Sequence, residues 1–155
     1  MRSMPKTANS KSEIIKINSR FGEVTVDTSK AIFFPKGLYG MPENLSFGLV
    51  KFPSEKFANF SVLQCLNDYS LSFVVLPTGI KNTFVDENDM LEACTSNNIS
   101  QENLGVLFIV SVQRTPEKTS LTVNAKAPIL IDTTNQTGLQ HILISPKYNV
   151  KHEID

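Results

Sequence analysis

The chain has 155 residues, 41% of them hydrophobic, and equal numbers of basic and acidic side chains, 15 of each. That length suits one domain able to bury its core without staples. Zero net charge gives no support for a surface built to follow nucleic-acid phosphates, and no stretch is long and apolar enough for a membrane-crossing helix.

Residues 1–13 are rich in Ser, Lys and Asn and read as a disordered tail without the apolar segment of a secretion signal. Met4 is an alternative start. The tail holds Arg2, Lys6 and Lys11 against Glu13, so residues 14–155, read as a single domain, are slightly acidic. Ile14 to Asn18 and Glu23 to Asp27 alternate as two strands around a turn at Phe21-Gly22-Glu23, which predicts a hairpin. Ala31 to Phe34 is short and apolar. The next stretch, Phe34 to Pro42, places two glycines and two prolines among bulky apolar residues. Such a loop either packs back on the core or presents an adhesive surface.

Leu45 to Phe52 reads as a strand. Phe60 to Leu66 and Leu71 to Leu76 form a second hairpin about Asn67-Asp68, its return strand stopping at Pro77. Asp86 to Cys94 is the one helix expected, with Asp86 as cap and Asp89 in the first turn, where negative charge suits the helix dipole. Met90, Leu91 and Cys94 would share its inner face, and Asn97-Asn98 ends it. Leu104 to Val112 is apolar on both parities, hence a central strand covered on both faces. Thr115 to Lys118 is a hairpin turn. In Leu121 to Ile131 apolar residues hold every odd position, and Pro128 interrupts the polar face. Alternation means one buried face, and a proline there marks an edge, a bulge or a bend. This strand is expected to turn the corner of a barrel or sandwich. Leu139 to Ile144 is the last clear strand, broken by Pro146. The sum is an all-β fold with one short helix: roughly nine to ten short antiparallel strands in a partly closed barrel or a sandwich.

Motifs that carry chemistry are few. Phosphate-binding loops, GxGxxG and HExxH are absent, and neither His141 nor His152 has a second ligand at metal spacing. His141 is expected to be a half-buried, hydrogen-bonding residue within a strand. Cys65 and Cys94 lack a CxxC neighbour; a single disulfide between them is allowed but not implied, and the expectation is reduced core or edge thiols of a cytosolic protein. Four sequons, at Asn44, Asn59, Asn98 and Asn135, are read as chance. No enzyme activity and no cofactor is expected.

The order Phe21-Gly22-Glu23, Phe34-Pro35-Lys36-Gly37-Leu38-Tyr39-Gly40, Leu63-Gln64, Leu71-Ser72-Phe73, Val123-Asn124-Ala125-Lys126-Ala127-Pro128-Ile129 and Gly138-Leu139-Gln140 resembles the bacterial flagellar assembly factor family, the FliW proteins, over residues 14–152. The resemblance implies a non-catalytic, cytoplasmic protein with two partners. One is newly made flagellin. The other is the RNA-binding translational regulator CsrA, which represses flagellin mRNA. Flagellin and regulator would share one pool of binder by mass action. Partner-binding residues expected on this basis are Phe34, Pro35, Gly37, Leu38 and Tyr39 of the apolar loop, or else these plug a barrel end. Gln64, Gln140 and His141 would line a polar surface. Asp86, Glu87, Asp89 and Glu92 would meet a basic regulator. Asn124 and Pro128 would fix the bend more than touch a partner. The competing reading is a generic all-β ligand-binding or structural module, such as a carbohydrate binder, and the absence of Trp counts against it. A hydrolase would need a histidine or carboxylate pair converging in a pocket.

Overall fold

The computed structural model describes residues 13–154, so the expected tail lies outside them except at Glu13. The carbonyl of Glu13 accepts from the amide (2.9 Å) and hydroxyl (3.1 Å) of Thr28, which ties this residue to the fold. The described residues hold eleven strands and one α-helix. β1 (Ile14–Ser19) and β2 (Gly22–Asp27) form the expected hairpin. Gly22 takes φ 118°, closed to residues with a side chain, at the end of its turn.

Seven strands close a ring. β3 (Ile32–Phe33), β4 (Ser46–Lys51), β5 (Ser61–Cys65), β6 (Ser72–Thr78) and β7 (Leu104–Arg114) pair in sequence order. β9 (Ile129–Asp132) and β10 (Thr137–Gln140) return along the other side of β7, and β10 meets β3. That last contact, Thr137 opposite Phe33, is the one parallel pairing in an otherwise antiparallel sheet. β7 is long enough for two partners on one side. Leu104 to Leu107 pair with β9, and Val110 to Arg114 pair with β8 (Thr119–Val123). β11 (His152–Glu153) adds to β8. Two residues are too few for an alternation signal, so β11 is not visible in the sequence.

Period-two patterning sorts the core. Phe34, Phe47, Leu63, Leu107, Ile129 and Ile131 fill the ring. Neighbouring residues of opposite parity, Val106, Phe108 and Leu130, point outward and pack under α1 (Glu87–Ser96) with Met90, Ala93 and Tyr148. β7 and β9 are therefore apolar on both faces. On β4, Val50 packs outward against the β1–β2 hairpin core of Ile17, Val24 and Val26.

The Leu121–Ile131 stretch is two strands rather than one. Val123 lies opposite Val110 and Ile129 opposite Leu107, so the five residues 124–128 arch over only Phe108 and Ile109. This wide bulge is the corner, and Asn124 braces it: its Oδ1 accepts from the amides of Lys126 (3.1 Å) and Ala127 (3.0 Å).

Three expectations need correction. β6 runs through Pro77 to Thr78, because β5 ends opposite Val75 and there is no ladder on that side for a proline to break. β10 stops at Gln140, not Ile144, and His141 lies beyond the strand. From there the chain follows the bulge, with the amide of His141 on the Pro128 carbonyl (2.9 Å) and that of Leu143 on the Lys126 carbonyl (2.8 Å). Asp86 stands at the N-cap of α1, but its carboxylate makes no capping bond and pairs with Lys147 instead.

Candidate functional site

The apolar loop is divided between core and surface. Phe34 and Leu38 are buried, and the Phe34 ring packs edge-on against Phe47 at 5.3 Å, closing one end of the ring. Pro35 and Tyr39 are exposed. Gly37 has φ 67°, and a Cβ there would come within 2.2 Å of the Met41 carbonyl. The Met41 amide bonds to the Leu38 carbonyl at 2.8 Å, and Gly40 takes φ 81°, the value a type II turn needs at its third residue. A stiff turn thus lifts Tyr39, 67% exposed, to the tip.

Gln140 holds that tip in place. Its Oε1 accepts from the Tyr39 amide at 2.9 Å, and its Nε2 donates to the Ala127 carbonyl at 3.2 Å. One side chain therefore ties loop, end of β10 and bulge together. Beyond it, His141 to Ser145 are held along the bulge, with Lys126 Nζ on the Ser145 carbonyl at 3.2 Å. This segment leaves Ile142 37% and Ile144 94% exposed.

These pieces line three adjoining hollows. One of about 430 Å³ lies beside the loop between Lys36, Pro42 and Leu139. The next, about 370 Å³, shares Tyr39 and Gln140 with it and continues to Asn97 and His141. The third, about 440 Å³, starts at His141 and runs between Asp89 and Glu92 of α1 and the Leu143–Tyr148 stretch. Together they make one long groove with an apolar rim and an acidic far end.

His141 stands at the junction. Its Nδ1 lies 3.1 Å from Asn97 Nδ2. Burial lowers its pKa below the ordinary histidine value, and the charge of Glu92 opposes that shift. At the acidic end the Tyr148 hydroxyl donates to the Asp89 carboxylate and accepts from the Asp86 amide at 3.1 Å. Burial, then the bond to Asp89, raises the phenol's pKa. Lys147 pairs with Asp86 and lies 3.9 Å from Asp89, and its ammonium is held protonated by the bond to Asp86. Both members of the Lys147–Asp86 pair are exposed, so it contributes little to stability.

Of the residues expected to meet a partner, the groove gathers Pro35, Gly37, Leu38, Tyr39, Asp89, Glu92, Gln140 and His141. Asp86 and Glu87 are exposed at the start of α1, outside the lining, and Asn124 braces the bulge behind it. Gln64 is misplaced by the sequence reading: it is fully buried on β5. Its Nε2 donates to the carbonyls of Cys65 (2.9 Å) and Tyr69 (3.0 Å), and its Oε1 accepts from Ser72 Oγ at 2.6 Å. Phe34 likewise belongs to the core. The sequence reading missed Ile142 and Ile144. The signal was there in apolar residues of both parities just before Pro146, more than one buried face can take. Cys65 and Cys94 are buried and free, and no cluster of three or more metal-ligating side chains exists among the described residues. No described helix is long and apolar enough to cross a membrane.

The model of the FliW protein family matches residues 16–154. The flagellar assembly factor FliW of Lachnospira eligens is 32% identical over 139 residues, covering 86% of this chain and 89% of that protein. Flagellar assembly factor FliW of Oceanobacillus iheyensis is 30% identical over 138 residues, covering 88% and 91%. A crystal structure of a flagellar assembly factor FliW matches with a TM-score of 0.65 at 22% identity, over 91% of this chain and 96% of the other, a likeness of fold.

Proposed function

The chain belongs to the FliW family of flagellar assembly factors, and we propose that it acts in the cytoplasm as a non-catalytic, chaperone-like binder of newly made flagellin and of the translational regulator CsrA. By binding the regulator it relieves repression of flagellin mRNA translation. Accumulating flagellin then draws the shared binder away, and repression returns.

The observation that carries this reading is the groove under Tyr39, Ile142 and Ile144. Ile144 is almost wholly in solvent while its neighbour Leu143 is buried. Exposed aliphatic and aromatic side chains rimming a concavity mark a surface that captures another chain. Unpolymerised flagellin has disordered ends, the kind of segment that orders on such a surface. Asp89 and Glu92 at the far end suit a basic, RNA-binding regulator, whose encounter they would speed and orient.

Calorimetric titration with monomeric flagellin from the same organism, then with the regulator, tests the reading. Wild-type protein should bind flagellin one-to-one. Ile144→Asp, a change at an already exposed position, should weaken flagellin binding at least tenfold while the thermal midpoint stays put. An unchanged affinity would move the flagellin site elsewhere.

A further inference from the structure

His141 has its protonation fixed by a partner on one side of the ring and none among the described residues on the other. Asn97 Nδ2 sits 2.8 Å from the Ala93 carbonyl, which can only accept, so the nitrogen there must be the NH₂ of the amide. The same nitrogen faces His141 Nδ1 at 3.1 Å. Nδ1 must therefore be the bare, accepting nitrogen, and the imidazole proton is on Nε2. Nε2 makes no hydrogen bond to any described residue, although the ring is half-buried in the wall shared by two hollows. That nitrogen still reaches water, since Thr122 Oγ1 is the one fully buried side-chain polar atom without a partner among the described residues, so it stands open to an acceptor entering the groove.

We propose that His141 is the specificity-determining donor of the groove: fixed as its Nε2–H tautomer by Asn97, it reads a hydrogen-bond acceptor on the flagellin segment that docks beside Ile142 and Ile144. This rests on the groove being the flagellin surface. The segment it favours is aliphatic, with a backbone carbonyl or side-chain amide oxygen presented at the junction.

The same geometry resists protonation of the ring. A proton on Nδ1 would set one donor against another, and Asn97 could turn only by giving up Ala93. The charged and titratable groups around the ring are Glu92 and Asp89 of α1, Lys36 and Tyr39 of the loop, and Tyr148 beyond Ser145. Lys126 of the bulge is engaged with Ser145, and Lys147 with Asp86. Glu92 favours the protonated ring, but burial outweighs it, so the neutral donor persists down past the ordinary histidine value of 6.5. Protonation leaves Nε2–H a donor and only adds a second donor on Nδ1 facing Asn97, so the hydrogen bond to the docked segment survives in acid.

Monomeric flagellin is titrated into wild type, His141→Phe and Ile144→Asp at pH 7.5 and at pH 5.5. His141→Phe should bind about tenfold more weakly at pH 7.5, the loss of one hydrogen bond, and the gap should persist at pH 5.5, because Nε2–H donates in both protonation states. Ring ¹⁵N NMR of the free wild-type protein should show the Nε2–H tautomer and a pKa below 6.5. If Ile144→Asp abolishes binding while His141→Phe matches wild type, the proposal fails and the groove stands. If neither variant matters, or flagellin does not bind, both fail. An Nδ1–H tautomer overturns the proposal whatever the variants do.

Discussion

Gln64 carries the clearest burden of any single side chain. Three polar groups about the β5–β6 turn depend on its amide, the Cys65 carbonyl and Ser72 hydroxyl in buried bonds and the Tyr69 carbonyl in a part-buried one. Gln64→Leu keeps the volume and orphans them, so thermal unfolding should show a loss of about 2–3 kcal/mol, against an exposed control such as Glu87→Gln with almost none. His141 adds a pH term. Its pKa is lowered on folding, so the unfolded chain binds the proton first. Stability is full above about pH 6.5 and declines as pH falls through that value toward the lower folded one. His141→Phe should flatten this part of the midpoint-against-pH curve. Asn124 was readable as a bend residue, because an Asn four residues before a Pro in an alternating run has few other uses. Gln64 was not, because the carbonyls that satisfy it lie across a turn and no local pattern announces them.

Between elements, contact is set by what is small. Gly48 of β4 faces the β1–β2 hairpin, and a Cβ there would come 2.6 Å from Val26 Cγ1. Gly48→Ala should lift the hairpin while the ring holds. Hydrogen exchange would show this as faster exchange in β1 and β2 with β7 still protected. The bulge works differently, since it serves as the template for residues 141–145. Asn124→Ala removes two bonds to the bulge amides and should cost about 1–2 kcal/mol. It should also weaken flagellin binding, though no groove residue has changed. Strands and helix were legible wherever alternation or an apolar run lasted five residues or more. The end of β10 was not, because His141 to Ile144 are as apolar as a strand and leave the ladder only to follow a bulge.

Across the molecule, charge is balanced in sum and uneven in place. Net charge is zero, yet Asp89 and Glu92 lie together at one end of the groove, with Lys36 at the other. Association with a basic regulator should therefore slow with added salt, and Glu92→Lys should reduce both the rate and its salt dependence. Stopped-flow mixing at two ionic strengths measures this. Ring closure was beyond the sequence's reach: strand patterns tell which face is buried, not that β7 would take two partners on one side or that β3 would meet β10 in parallel.

That meeting has a consequence in time. The groove's walls come from residues 35–42, 89–97 and 137–148, and the bond from Tyr39 to Gln140 spans 101 residues. A ribosome that has made the loop, the helix and most of the ring has not yet made any part of the opposite wall. A chain stopped before that wall is made therefore offers no groove, and the capacity to bind arrives only once residues 137–148 are in place. Under the proposed role, chains that have passed this point, rather than shorter ones, set how much free binder there is.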